Sequence, residues 1–143
     1  GQIVDWQKPF QKIDIGKAYC IKEGTKVAIL SNGTIGNNVT LALAEINHSD
    51  GFAHFDFAFV KPLDENLLHI IFKSFKNIVT VEDGVVNGGF GTTIVEFASK
   101  NNYNSTIKNL GIPDEFIEQG AINELQQYCK IDVNSLTNIF MSY

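Results

Sequence analysis

The sequence predicts an α/β fold in three layers: helices on both faces of a mostly parallel sheet of about five strands, with one antiparallel edge strand. Three observations carry this. From Ala18 onward, short apolar strands alternate with stretches of helical period. Val27-Ala28-Ile29-Leu30 is an unbroken apolar run, the pattern of a strand buried on both faces. The short strand Ala18–Ile21 precedes it, with Glu23-Gly24 as a turn between them, and is expected to pair antiparallel at an edge.

Taken in order, residues 1–17 show no clean period and carry Trp6, Pro9 and Phe10 among polar neighbours. They read as a lead-in or linker from a preceding domain, and residues 18–143 as the domain itself. Ser31–Thr34 is a polar loop. Ile35, Val39, Leu43 and Ile46 then recur at helical spacing as one apolar stripe. Phe52–Val60 reads as a strand in which Phe55, Phe57 and Phe59 alternate. Pro62-Leu63-Asp64 ends it, with Asp64 as N-cap of the next helix and Glu65 in its first turn. Leu67, Ile71 and Phe75, flanked by Leu68 and Phe72, form that helix's buried face; Glu65, His69, Lys73 and Lys76 take the solvent side. Asn77–Val81 is a strand ending in Glu82-Asp83. Asn87-Gly88-Gly89-Phe90-Gly91 is a glycine-rich loop opening a helix to about Ser99. Thr106–Leu110 is a short strand. Helices Ile122–Tyr128 and Val133–Met141, the second capped by Asp132, close the chain.

The chain has 143 residues, with a formal net charge of −5. All of its 11 basic residues are lysine. An acidic domain without arginine is a poor nucleic-acid module, because phosphate grip and base readout lean on an excess of Arg and Lys. It also lacks any guanidinium fork for a carboxylate or phosphate. Cys20 and Cys129 match no metal-ligand or redox spacing, which points to a reduced, cytosolic domain. No apolar run approaches the roughly 18 residues that span a bilayer.

The chemistry-bearing residues are sparse. The glycine loop departs from the dinucleotide fingerprint, since Ile94 stands where its third glycine belongs, and no Walker lysine follows. Gly88, Gly89 and Gly91 then serve a tight turn or a close approach of backbone. Glu82 and Asp83 lie at the carboxyl end of a strand, where open α/β sheets bind ligands. Adjacent strand residues face opposite sides, however, so the two acids do not converge, and capping the following loop or pairing with a lysine is the better role. Lys61 is the one basic residue at that edge. His54 and Asp56 share a strand face, which permits a hydrogen-bonded pair, yet no nucleophile stands beside them in sequence. The residues alone therefore give no catalytic, cofactor or metal site. They leave Lys61, Glu82, Asp83, Gly88, Gly89 and Gly91 as candidates for an interface or a ligand-binding edge.

Three segments carry a family resemblance. They are Asp56-Phe57-Ala58-Phe59-Val60-Lys61-Pro62-Leu63-Asp64-Glu65; Ile78-Val79-Thr80-Val81-Glu82-Asp83 with Gly88-Gly89-Phe90-Gly91; and Leu110-Gly111-Ile112-Pro113-Asp114-Glu115-Phe116-Ile117-Glu118-Gln119-Gly120. In this order the chain resembles the C-terminal third of the 1-deoxy-D-xylulose-5-phosphate synthase family, from about residue 13 to 136. The first two segments resemble transketolases and 2-oxoacid dehydrogenase β subunits as well; the third is particular to the synthases.

The resemblance implies one domain of a cytoplasmic bacterial homodimer that binds thiamine diphosphate and Mg²⁺ through preceding domains of the same polypeptide. Those domains carry the Gly-Asp-Gly motif and the activating glutamate, so the resemblance gives Glu82 no catalytic role. It implies that this domain supports its neighbours and the dimer and holds no cofactor itself. Ala58 and Glu115 stand where arginines are frequent in the family, and Gln119 where histidine is frequent. Two alternatives remain open on the residues: the equivalent domain of a dehydrogenase β subunit or another transketolase, and a free-standing binding module using Ser31–Thr34, Lys61 and Gly88–Gly91.

Overall fold

The computed structural model describes residues 12–143, so the lead-in residues Trp6, Pro9 and Phe10 lie outside the described residues. Five strands, β1 (Tyr19–Lys22), β2 (Val27–Asn32), β3 (Phe52–Asp56), β4 (Asn77–Val85) and β5 (Thr106–Ile112), form one sheet in the order β1-β3-β2-β4-β5. β1 runs antiparallel to β3, and every other pair is parallel. The helices are α1 (Gly36–Glu45), α2 (Glu65–Ser74), α3 (Phe90–Lys100), α4 (Ile122–Tyr128) and α5 (Val133–Phe140). This is the mostly parallel, three-layer arrangement with an antiparallel edge that the sequence predicts.

Two cores flank the sheet. Leu30, Phe55 and Ile78 pack under α2 and α3 with Leu68, Ile71 and Ile94. Ile29, Val79 and Val81 pack on the other face under α1 and α5, against Val39, Leu43 and Leu136. Neighbouring residues of β2 thus enter opposite cores, which is why that strand is apolar at every position from Val27 to Leu30.

Asp64 ties the entry of the domain to a helix. Its Oδ1 accepts the Leu67 amide of α2 at 3.1 Å, the expected N-cap, while Oδ2 accepts the Ala18 amide at 3.2 Å. The Lys17 ammonium stands 3.8 Å from the same oxygen. Because this carboxylate is buried, Asp64→Ala removes a cap and strands the Ala18 amide together. A loss of about 2 kcal/mol follows. Thermal melts should register it, and amide exchange should rise first at Ala18 and Leu67.

The structure corrects several boundaries. The strand expected over Phe52–Val60 stops at Asp56, because its partner β2 runs out at Asn32. The Phe57 amide still donates to the Ser31 carbonyl at 2.8 Å, and Asn32 Nδ2 donates to the Phe57 carbonyl at 2.6 Å, after which the chain leaves the sheet. β4 runs past Val81 to Val85 because its ladder with β5 resumes after a bulge, at Val85 and Ile112. In α2 the buried stripe is Leu68, Ile71 and Phe72, so Leu67 sits at its margin. His69, expected in solvent, is half-buried: its Nδ1 lies 2.7 Å from the Tyr103 hydroxyl and its ring 5.0 Å from that of Phe97. Tyr103 lies 34 residues downstream, so no local pattern could pair them.

Candidate functional site

In a doubly wound sheet the crevice for ligands opens where neighbouring strands send their connections in opposite directions. Here that point lies between β2 and β4, whose carboxyl ends carry Ser31-Asn32 and Glu82-Asp83. The two acids part as expected. Asp83 is exposed and accepts from Thr34 Oγ1 at 3.3 Å, so the loop after β2 is bonded across to β4. Glu82 turns inward and is 4% exposed. Its Oε2 accepts the Phe90 amide at 2.8 Å and its Oε1 the Gly91 amide at 2.9 Å.

Glu82 is therefore the N-cap of α3, supplied from the strand before the loop rather than from the cap position. That position is Gly89, which has no side chain to offer. A carboxylate suits the place twice, by satisfying orphan amides and by facing the positive end of the helix dipole. The approach is so close that a Cβ on Gly89 would strike the Glu82 carboxylate and the Val85 carbonyl. Gly88 makes the turn itself at φ +79°, and its amide donates to Thr92 Oγ1 at 3.0 Å. Gly91 is buried at the start of α3. The candidates Glu82, Gly89 and Gly91 are thus joined in one buried cap, whereas Lys61 is exposed before α2 and takes no part in it.

Sequence reasoning missed a second polar cluster. His54 is 2% exposed, and it does not pair with Asp56: its Nε2 and Ser31 Oγ share a hydrogen bond of 2.8 Å, with Thr40 Oγ1 3.5 Å from Nδ1. Parallel pairing of β2 with β3 brings Ser31 beside this histidine, and no spacing in the sequence signals it. Ser31 and His54 are buried at the wall of a cavity of about 170 Å³ that Gly36, Thr40 and Asp56 also line, so the pair has the atoms of a nucleophile and base with almost no exposed surface of its own.

Burial lowers the His54 pKa to about 4. The folded protein therefore holds a neutral imidazole down to that pH, while the unfolded chain takes up its proton near 6.5. Stability from this residue is intact above about pH 6.5 and is lost as pH falls toward 4. At pH 4.5 the loss is on the order of 2 kcal/mol. Burial pushes the half-buried Asp56 carboxyl up, which opposes part of that loss. Melting temperature should fall between pH 7 and 4.5 in the wild type and fall less in His54→Gln. Equal slopes in the two proteins would contradict the assignment.

An open apolar cavity of about 500 Å³ lies beyond the ends of β4 and β5. Ile112, Ile117, Ile122, Leu125 and Ile131 line it, with Asp83, Glu115 and Glu118 among its walls. Cys129 also lines it, and burial, followed by the charges of Glu115 and Asp83, pushes its thiol up and away from the reactive thiolate. No group of three or more His, Cys, Asp or Glu among the described residues could hold a metal ion. With Glu82 sealed against backbone amides, these residues do not fit a thiamine diphosphate and Mg²⁺ site, and no step of that chemistry is derived from them.

Fold and site together define a sheet domain in which Glu82 and Asn32, at the strand ends, are bonded to its own backbone. The model of the transketolase C-terminal domain matches residues 16–136. The chain belongs to the transketolase C-terminal domain family. Among curated relatives, the 1-deoxy-D-xylulose-5-phosphate synthase of Phocaeicola vulgatus is 43% identical over 145 residues, covering 100% of this chain and 23% of its own length. That of Cytophaga hutchinsonii is 47% identical over 137 residues, covering 95% and 22%. This chain therefore spans less than a quarter of the relatives it matches.

Among solved structures, one described as a split-gene transketolase, inactive β4 tetramer, superposes with a TM-score of 0.81 at 23% identity, over 94% of this chain and 43% of that one. Campylobacter jejuni transketolase gives 0.61 at 16% identity, over 90% and 19%. At such identities the two structures speak for the fold.

Proposed function

We propose that this chain is the C-terminal domain of a bacterial 1-deoxy-D-xylulose-5-phosphate synthase. The whole polypeptide joins pyruvate to glyceraldehyde 3-phosphate with loss of CO₂, giving 1-deoxy-D-xylulose 5-phosphate for isoprenoid synthesis. The alignment of a synthase at 43% identity along 100% of the chain carries this reading, and it favours the synthase over the dehydrogenase β subunit and over a free-standing binding module. Thiamine diphosphate and Mg²⁺ belong to the preceding domains, and this domain supports them and a homodimer in the cytoplasm. Residues 1–17 are the lead-in from those domains, a division supported by the start of the family match at residue 16. No helix among the described residues is long and apolar enough to cross a membrane.

The structure supports a scaffold role residue by residue: Glu82, Gly89 and Gly91 build the α3 cap, Asp83 ties two loops, and Lys61 is left on the surface. The test is to assay the full-length polypeptide that ends in this chain, with both cofactors, pyruvate and glyceraldehyde 3-phosphate. Mass spectrometry should find 1-deoxy-D-xylulose 5-phosphate. Decarboxylation of pyruvate without that product would instead favour the dehydrogenase reading.

A further inference from the structure

The segment from Pro113 to Ala121 lies in no helix or strand, yet it carries the most exposed large apolar residue of the described chain, Phe116, at 107% relative exposure. Phe116 and the exposed Tyr128 line a second cavity, which shares Ile117, Glu118, Gln119 and Leu125 with the apolar cavity that the exposed Ile122 lines. A lone exposed aliphatic residue is ordinary, but a whole phenylalanine ring next to an open groove of isoleucines and leucine marks a binding surface. Its electrostatics are one-sided: Asp83, Glu115 and Glu118 line the groove and no lysine does.

We propose that this groove, with Phe116 at its lip, is where the preceding part of the same polypeptide docks, through an apolar insert flanked by lysine or arginine. The proposal rests on the reading that the chain is one domain of a longer synthase. Two observations select the occupant. The matched relatives extend over four times this length, so a long stretch of the same polypeptide is at hand to cover the groove. A second copy of this face would bring the three carboxylates to a lining whose only charged groups are three more carboxylates, whereas a basic rim answers them. Burying the Phe116 ring and the isoleucines gives the contact its energy, and the charges give it register.

The test places the photocrosslinking residue p-benzoylphenylalanine at Phe116 in the full-length polypeptide, in an equal mixture of light and heavy isotope forms. Crosslinked peptides should join position 116 to sequence preceding this chain, within a single isotope form. Reversing the rim charge with Glu115→Lys and Glu118→Lys should cut that yield at least threefold, while the control Lys100→Glu on α3 leaves it unchanged. Light-to-heavy crosslinks would assign the groove to a second copy and overturn the proposal. Crosslinks confined to residues 12–143, or none, would also overturn it. Product formation by the unmodified polypeptide is measured separately, so a failed synthase reading and a failed docking surface give different results.

Discussion

Replacing Phe57 by alanine is expected to cost about 4 kcal/mol and to lower the melting temperature by roughly 15 °C. Phe57 is 1% exposed although it lies one residue beyond the end of β3. Its ring packs 5.5 Å from that of Phe90 at the start of α3, within the core beneath α2 and α3. Its backbone is held by Ser31 and Asn32, so the site has little freedom to collapse around the deleted ring. The cavity would open at the strand-end edge, where the loops after β2, β3 and β4 meet. Amide exchange should therefore rise at Phe57, Phe90 and Gly91, while the inner pairs of β2 and β4 change only through global unfolding. A melting shift below about 4 °C would mean that the loop repacks, and that Phe57 does not anchor this edge.

Glu82→Ala comes next in expected effect, at about 3 kcal/mol. The substitution leaves the Phe90 and Gly91 amides buried and without their acceptors, and it opens a void beside Gly89. Glu82→Gln separates the contributions, because its amide oxygen can still accept one of the two bonds while its NH₂ group meets the other amide. It should lose roughly half as much. If Glu82 were a catalytic acid rather than a cap, the glutamine variant of the full-length enzyme would retain its melting temperature and lose its turnover. The cap assignment expects the opposite order, with a lower melting temperature and turnover largely kept at temperatures where the protein is folded.

The contrast between these residues shows what was legible in the sequence. Val27–Leu30, the α1 stripe of Ile35, Val39 and Leu43, and the Asp64 and Asp132 caps were readable because their signals are local: period, apolar run, and a capping residue three positions from its target. The α3 cap was legible only in part. The distance from Glu82 to the amides it binds is eight and nine residues, and nothing but the absence of a side chain at Gly89 hints that a cap must come from elsewhere. Ser31 beside His54, and Tyr103 beside His69, depend on sheet register and helix packing between residues more than 20 positions apart. The strand over Phe52–Val60 was overextended because alternation of Phe55, Phe57 and Phe59 persists after hydrogen-bonding partners end. The groove beside Phe116 was invisible, since a loop with apolar residues has no period to read.

The proposed function makes this chain the part of a thiamine-diphosphate enzyme that supports the chemistry without holding the cofactor. Isothermal titration of residues 1–143 with thiamine diphosphate and Mg²⁺ tests it most directly. No saturable heat is expected, whereas binding in the micromolar range would place a cofactor site within this domain and overturn the proposed function.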